Sequence, residues 1–254
     1  MKYRIGFVLS GGGTRGFAHL GIMEALREKG ITPDVISGVS AGAIAGAFLS
    51  AGKSPVETHQ ILKKGNLYKY TAIQLPTNGL FRLTGLQKII EREIPYQRIE
   101  ELPLPMHVGL TNITEGRVEY HDKGPLSKTI LASASIPVLF SPVEIDGYLY
   151  SDGGLLENLP VQPLIGKCEK IIVSNVSPLQ KPFEVKNIAQ MVTRTFLVGV
   201  HARTEEAKKH ASIYIEPSGL INFDLINISN ADEAFEIGYK TVHEMEAALE
   251  ILSN

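Results

Sequence analysis

Two stretches of this chain run an apolar segment into small residues and straight on into a helical pattern, and together they leave few folds open. In the first, Arg4 to Leu9 form an apolar run that stops at glycine. Gly16 to Lys29 then carries Phe17, Leu20, Ile22, Met23 and Leu26 at helical spacing. The reading is strand, loop, helix, with Gly30 as a C-terminal cap. In the second, Thr32 and Pro33 break the chain before "DVISGVS", a short strand that ends in glycine and serine. A helix over 41–51 follows.

The alternation continues. Ser54, Pro55 and Glu57 supply an N-cap, a first-turn proline and the reciprocal acid of a capping box, which predicts a third helix start. Further strands are expected in "MHVGLTNI", "RVEYH", "KIIVSNV" and "SIYIE". Asp146-Gly147 between "VEI" and "YLY" signals a hairpin turn. Helical patterns recur over 87–93, 126–134, 188–208 and 231–251. Strands alternating with helices predict a layered α/β architecture, and the hairpins near 106–120 and 143–150 make its sheet mixed. The irregular stretch 66–83, with Leu67, Tyr68, Tyr70, Leu75, Leu80 and Phe81, is either an apolar lid or a segment packed on the sheet.

A length of 254 residues, 44% of them hydrophobic and 20% charged, fits one globular domain with a sizeable core. The formal net charge of -2, with Lys and Arg scattered along the chain, argues against a nucleic-acid partner. Cys168 is the only cysteine, so there is no intrachain disulfide and no multi-cysteine metal site, and a reducing, cytoplasmic setting is expected. The start, "MKYRIGFVLSGGG", has too few apolar positions for a signal-peptide core and reads as a strand. Residues 38–52, the longest weakly polar stretch, are shorter than the roughly 20 residues a membrane span needs.

The glycines at 11, 13 and 16 fit G-x-G-x-x-G after a strand, which raises a dinucleotide site. That fold places an acid at the end of the second strand, where this chain has "SGVSAG", with Asp34 ahead of the strand instead. No G-K-[ST] follows the glycines, so a P-loop is weaker still. "GVSAG", Gly38 to Gly42, is a G-x-S-x-G turn in the strand-to-helix context that exposes a serine hydroxyl. The bland alternative for Ser40 is an N-cap on a buried helix.

A serine nucleophile needs a base. His201, His210 and His243 would suit a Ser, Asp, His order, but all three fall in helical patterns, and His107 and His121 flank strands. Asp152 is the stronger candidate: it follows a hairpin strand and precedes Gly153 and Gly154, which let the chain turn and leave the carboxylate at the strand's end. Its reference pKa of about 3.9 makes it a weak base unless burial or a serine hydrogen bond assists. It could also be a turn aspartate bonding its own backbone. Arg15 could favour an anionic substrate or hold the loop in shape. Asn158 reads as a turn residue, with a hydrogen bond near the aspartate loop as the alternative.

The glycine loop "GGGTRG", the elbow "GVSAG" and the "DGG" of Asp152 to Gly154, in that order, resemble the patatin-like phospholipases, nearest to small bacterial members. The intervening "ASASIPVLFSPVEIDGYLYSDGGLLENLP" is similar too, and the resemblance spans residues 4 to 176. It implies a three-layer α/β/α sandwich around a mixed, mostly parallel sheet, forming a single hydrolase domain over 1–254. It implies a Ser-Asp dyad, with Ser40 as nucleophile, Asp152 as base and the amides of Gly11, Gly12 and Gly13 as oxyanion hole. Arg15, Gly16, Gly38, Gly42, Gly153 and Gly154 would support the motifs. Ser10 departs from the family, where many members carry aspartate.

The chemistry is coherent: attack on an ester puts charge on the carbonyl oxygen, and each prepositioned N–H is worth roughly 3 to 4 kcal/mol. No metal or cofactor is called for. The expected activity is hydrolysis of a phospholipid or other acyl ester through an acyl-serine intermediate. Transfer of the acyl group to another acceptor and a non-catalytic lipid-binding role are the alternatives. Contact with a membrane surface would be transient, since no basic amphipathic segment or lipidation signal is present. Oligomeric state is left open.

Overall fold

The computed structural model describes residues 1–65, 83–179, 184–185, 188–201, 204–223 and 228–252. Among the described residues eight strands form one sheet: β1 (Tyr3–Leu9), β2 (Val35–Gly38), β3 (Met106–Asn112), β4 (Arg117–His121), β5 (Val143–Ile145), β6 (Tyr148–Asp152), β7 (Cys168–Ser174) and β8 (Ile213–Ile215). Their order is β5-β6-β3-β2-β1-β7-β8, with β4 also on β3. Four of the seven pairings are parallel and three antiparallel, the mixed sheet expected.

The helices are α1 (Phe17–Glu28), α2 (Ala41–Ser50), α3 (Pro55–Gly65), α4 (Thr84–Glu93), α5 (Leu126–Ser133), α6 (Ile188–His201), α7 (Thr204–His210), α8 (Ala231–His243) and α9 (Glu246–Leu249). β1 sends alternate side chains to opposite faces, as the strand pleat requires. Ile5, Phe7 and Leu9 pack with Ile22 and Leu26 of α1 and Val242 of α8. Val8 packs on the other side with Leu164 and with Ala207 of α7. Helices on both faces of the sheet make the three layers. Among the described residues no helix is long and apolar enough to cross a membrane.

The hairpin turn has Asp146 and Gly147 both at positive φ, 50° and 83°, the pairing that suits a two-residue connection. Three expectations change. Ser54 Oγ accepts the Glu57 amide at 3.1 Å, but the Glu57 carboxylate turns to Lys53 Nζ at 2.8 Å, so only half the capping box forms. The pattern over 188–208 divides into α6 and α7, and that over 231–251 into α8, α9 and a 3-10 turn at Glu250–Leu252. Periodicity alone cannot place such breaks. The chain bends after α8 so that Leu249 and Leu252 reach the β1–α1 core. The stretch 66–82, expected as a lid or a segment packed on the sheet, lies outside the described residues; Leu83 lines an apolar recess beside Ser40.

One feature of the sheet positions the site. Val108 pairs with both Gly38 of β2 and His121 of β4, while Leu110 pairs with both Asp152 of β6 and Glu119 of β4. With β4 along one edge of β3, β2 and β6 must share the other. β2 ends opposite Val108 and the antiparallel β6 ends opposite Leu110, so their C-terminal ends meet head-on with one residue, Gly109, between them.

Candidate active site

Ser40 stands just past the end of β2 and Asp152 is the last residue of β6, so this exchange of partners brings them together. Ser40 holds φ 52° and ψ -120°, a region an L-residue enters at a cost and keeps only where its surroundings enforce it. The enforcing contacts are visible. A side chain on Gly42 would collide with the Leu9 carbonyl, and Ser40 N–H donates to Ser133 Oγ at 2.9 Å. Ser133 in turn donates to the Gly109 carbonyl at 2.7 Å, at the place where β3 changes partners. α2 begins at Ala41, aiming its N-terminal amides at the same space.

Asp152 is 1% exposed. Its Oδ1 accepts the Gly154 amide at 2.8 Å, whereas its buried Oδ2 has no hydrogen-bond partner among the described residues. Burial pushes its pKa up to about 7, against the Ser40 hydroxyl and the Gly154 amide, which pull it down. Ser40 is near enough to exert that pull, yet Asp152 Oδ2 is not in full hydrogen-bonding geometry with its hydroxyl. The low reference pKa that made Asp152 a weak base is thereby removed.

The glycine loop meets this pair at a small cavity lined by Gly11, Gly12, Gly13, Ser40, Asp152 and Asn158. Gly11 N–H donates to Asn158 Oδ1 at 3.0 Å, and a side chain on Gly11 would lie 2.6 Å from that oxygen and 3.1 Å from Ser40 Cβ. Asn158 is therefore more than the turn residue its sequence suggests: it ties the aspartate loop to a glycine 147 residues away. Ser37 Oγ, donating to the Pro160 carbonyl at 2.6 Å, ties the same loop to β2. Gly153, against the Gly109 carbonyl, lets that loop leave β6 tightly. Gly16 lies against Ala41, and Gly38 against Gly42.

Arg15 is buried, and its Nε and Nη2 donate to the Phe223 carbonyl at 3.0 and 2.8 Å and Nη1 to that of Pro178 at 3.2 Å. It anchors the loop to later segments of the chain. The five histidines considered as bases stand elsewhere. Neither cavity lined by Ser40 includes one among the described residues. His121 contacts Glu119, His210 faces Glu206, His243 faces Glu246, and His107 lines a separate groove with Lys2 and Lys167. His201 closes α6 with Nδ1 buried and unpartnered among the described residues. A sixth histidine escaped the sequence reading: His19, fully buried under the loop, bridges Ser174 and the Ser10 carbonyl.

On its other side Ser40 opens into an apolar recess whose walls include Phe17, Leu20, Ile44, Leu62, Leu86 and Phe140. Among the described residues no group of three or more His, Cys, Asp or Glu is placed to hold a metal ion.

The model of the patatin-like phospholipase family matches residues 7–165, a span that contains the glycine loop, Ser40 and Asp152. The chain belongs to that family. An uncharacterised NTE family protein of Mycobacterium tuberculosis is 33% identical over 165 residues, covering 64% of this chain and 46% of its own. Lysophospholipase NTE1 of Kluyveromyces lactis is 26% identical over 273 residues, covering 94% of this chain and 19% of its own. This patatin-like chain thus spans less than half the length of either relative. VipD from Legionella pneumophila shares the fold at a TM-score of 0.54 with 16% identity, over all of this chain and 67% of its own. Human GIVD cytosolic phospholipase A2, solved with methyl gamma-linolenyl fluorophosphonate, does so at 0.53 with 12% identity, over 99% of this chain and 59% of its own.

Proposed function

We propose that this patatin-like domain cleaves carboxylic esters of lipids through an acyl-serine intermediate, with Ser40 as nucleophile and Asp152 as the base. The observation that carries the reading is the buried serine–carboxyl pair at abutting strand ends, its pKa raised to about 7, with an apolar recess on one side and a glycine cavity on the other. Asp152 takes the hydroxyl proton as Ser40 Oγ bonds to the ester carbon. The carbonyl oxygen becomes an oxyanion facing the amides of Gly12 and Gly13. Gly11, whose N–H is already given to Asn158, shapes the loop instead.

Collapse of that intermediate expels the alcohol, which takes the proton from Asp152. A water molecule then gives Asp152 a proton and attacks the acyl carbon. When this second intermediate breaks down, the fatty acid leaves and the proton returns to Ser40. The acyl chain occupies the apolar recess. A phospholipid or lysophospholipid is the substrate class, in line with the name of the yeast relative. The substrate is reached by transient contact with a lipid surface, and apolar Val138 and Leu155, both exposed on segments that flank the cavities, suit that contact.

Labelling with a fluorophosphonate tests the reading. Wild-type protein and a triple His201, His210 and His243 to Ala variant should label, and Ser40→Ala and Asp152→Asn should not. Loss of labelling in a folded triple-histidine variant, or retention in Ser40→Ala, would overturn the dyad.

A further inference from the structure

Two successive peptide planes of the glycine loop are held by side chains from three distant parts of the chain. In the plane joining Ser10 to Gly11, the carbonyl lies 2.9 Å from His19 Nε2 and the N–H donates to Asn158 Oδ1 at 3.0 Å. A carbonyl can only accept, so Nε2 carries the hydrogen and Nδ1 accepts from Ser174 Oγ at 2.8 Å. In the plane joining Gly11 to Gly12, the carbonyl accepts from Ser177 Oγ at 2.6 Å and from Ser10 Oγ at 2.9 Å. Ser10 Oγ is itself fixed by the Val176 amide at 2.9 Å. The N–H of this second plane, that of Gly12, has no partner among the described residues.

We infer that Ser177, Ser10, Asn158 and His19 are positioning residues that set the direction of the Gly12 N–H for the developing oxyanion. The inference rests on the proposed hydrolase reading. A peptide unit is planar and trans, so a carbonyl pinned by two hydroxyls fixes the N–H at its far side in the opposite direction. The first plane, tied at both ends, keeps the second from rotating about Gly11, a residue with no side chain to restrain it. Ser10 gains a meaning here: an ionised aspartate at this position could not donate to the Gly11 carbonyl, and a serine can. The donors are preset before substrate arrives, which is what makes such amides effective.

The test measures ester hydrolysis and inhibition by an alkyl trifluoromethyl ketone, whose serine adduct carries an oxyanion. Wild type, Ser40→Ala, Ser177→Ala, Ser177→Thr and Asn158→Ala are compared, with urea midpoints to confirm folding. Ser177→Ala and Asn158→Ala should each lower kcat by about 10- to 100-fold with KM within about 2-fold, and weaken the ketone by the same factor. Ser177→Thr, which keeps the hydroxyl, should restore both. Should Ser177→Ala fail to fold, Ser177→Cys, with its weak S–H donor, must show the same selective loss. Wild-type kcat and ketone affinity in folded Ser177→Ala and Asn158→Ala would overturn the inference, as would a rise in KM at constant kcat. Either result leaves the hydrolase reading standing provided Ser40→Ala is inactive. An active Ser40→Ala sinks that reading instead.

Discussion

Ser133 Oγ receives the Ser40 amide at 2.9 Å and gives its own proton to the Gly109 carbonyl at 2.7 Å, so the last residue of α5 joins the serine turn to the strand behind it. Ser133→Ala leaves a buried N–H and a buried C=O without partners. The expected cost is about 2 kcal/mol of stability, read from urea unfolding, and about a tenfold drop in the rate of acylation. An unchanged acylation rate would mean that the Gly42–Leu9 contact alone holds the turn.

The Asp152 pKa of about 7 sets a pH profile. Only the ionised carboxylate can accept the serine proton, so kcat/KM should rise with pH along a limb whose midpoint lies near 7. Assays with a p-nitrophenyl ester between pH 5 and 9 check this. A midpoint near 4 would show that water reaches the carboxylate in the working enzyme.

The same group opposes folding at high pH. Its pKa is raised in the folded state from 3.8, so the native protein holds more protons than the unfolded chain between about pH 4 and 7. Stability from this group is greatest in acid and declines as pH rises through that window. Asp152→Asn should therefore be more stable than wild type at pH 8, by at most about 4 kcal/mol, and gain nothing at pH 4. Thermal melts at the two pH values decide the matter.

His19 acts in the other direction. Its pKa is lowered to about 4 by burial, with the Ser10 carbonyl resisting, so the folded state prefers the neutral ring. The stability it supplies is whole above pH 6.5 and is lost as pH falls towards 4. Up to about 3 kcal/mol should disappear over that range in wild type. His19→Gln should show a flatter dependence in urea titrations at pH 7 and pH 4.5.

Ile44, half-buried on the wall of the apolar recess, should govern chain length. Ile44→Trp narrows the recess without touching the glycine loop. The ratio of kcat/KM for decanoyl over butyryl esters should fall about tenfold, in line with the roughly 1 to 3 kcal/mol that small changes in an apolar pocket command. An unaltered ratio would place the acyl chain elsewhere.

Much of this arrangement is legible in the sequence because its signals are local. The serine turn joins a strand to a helix through glycines at 38 and 42, all within Val35–Ser50, and the Asp-Gly hairpin announces the strand that ends in Asp152. What escapes is whatever depends on distant partners. Asn158 looks like any turn asparagine until Gly11 stands beside it, and Ser133 looks like one small residue among several. The ends of α6 at His201 and of α8 at His243 are equally silent, since the residues that follow keep helical spacing. Arg15 carries no mark of the carbonyls it serves, which belong to residues 178 and 223.

The abutment of β2 and β6 on one edge of β3 separates two design problems that enzymes often have to solve together. The distance between hydroxyl and carboxylate is referred to two residues of a single strand, a span of about 7 Å, and not to the course of the chain between them. Connecting loops outside β3 and α5 can therefore be lengthened, shortened or exchanged without shifting Ser40 relative to Asp152. Such a scaffold lets the surroundings of the pair vary while the pair itself stays in place.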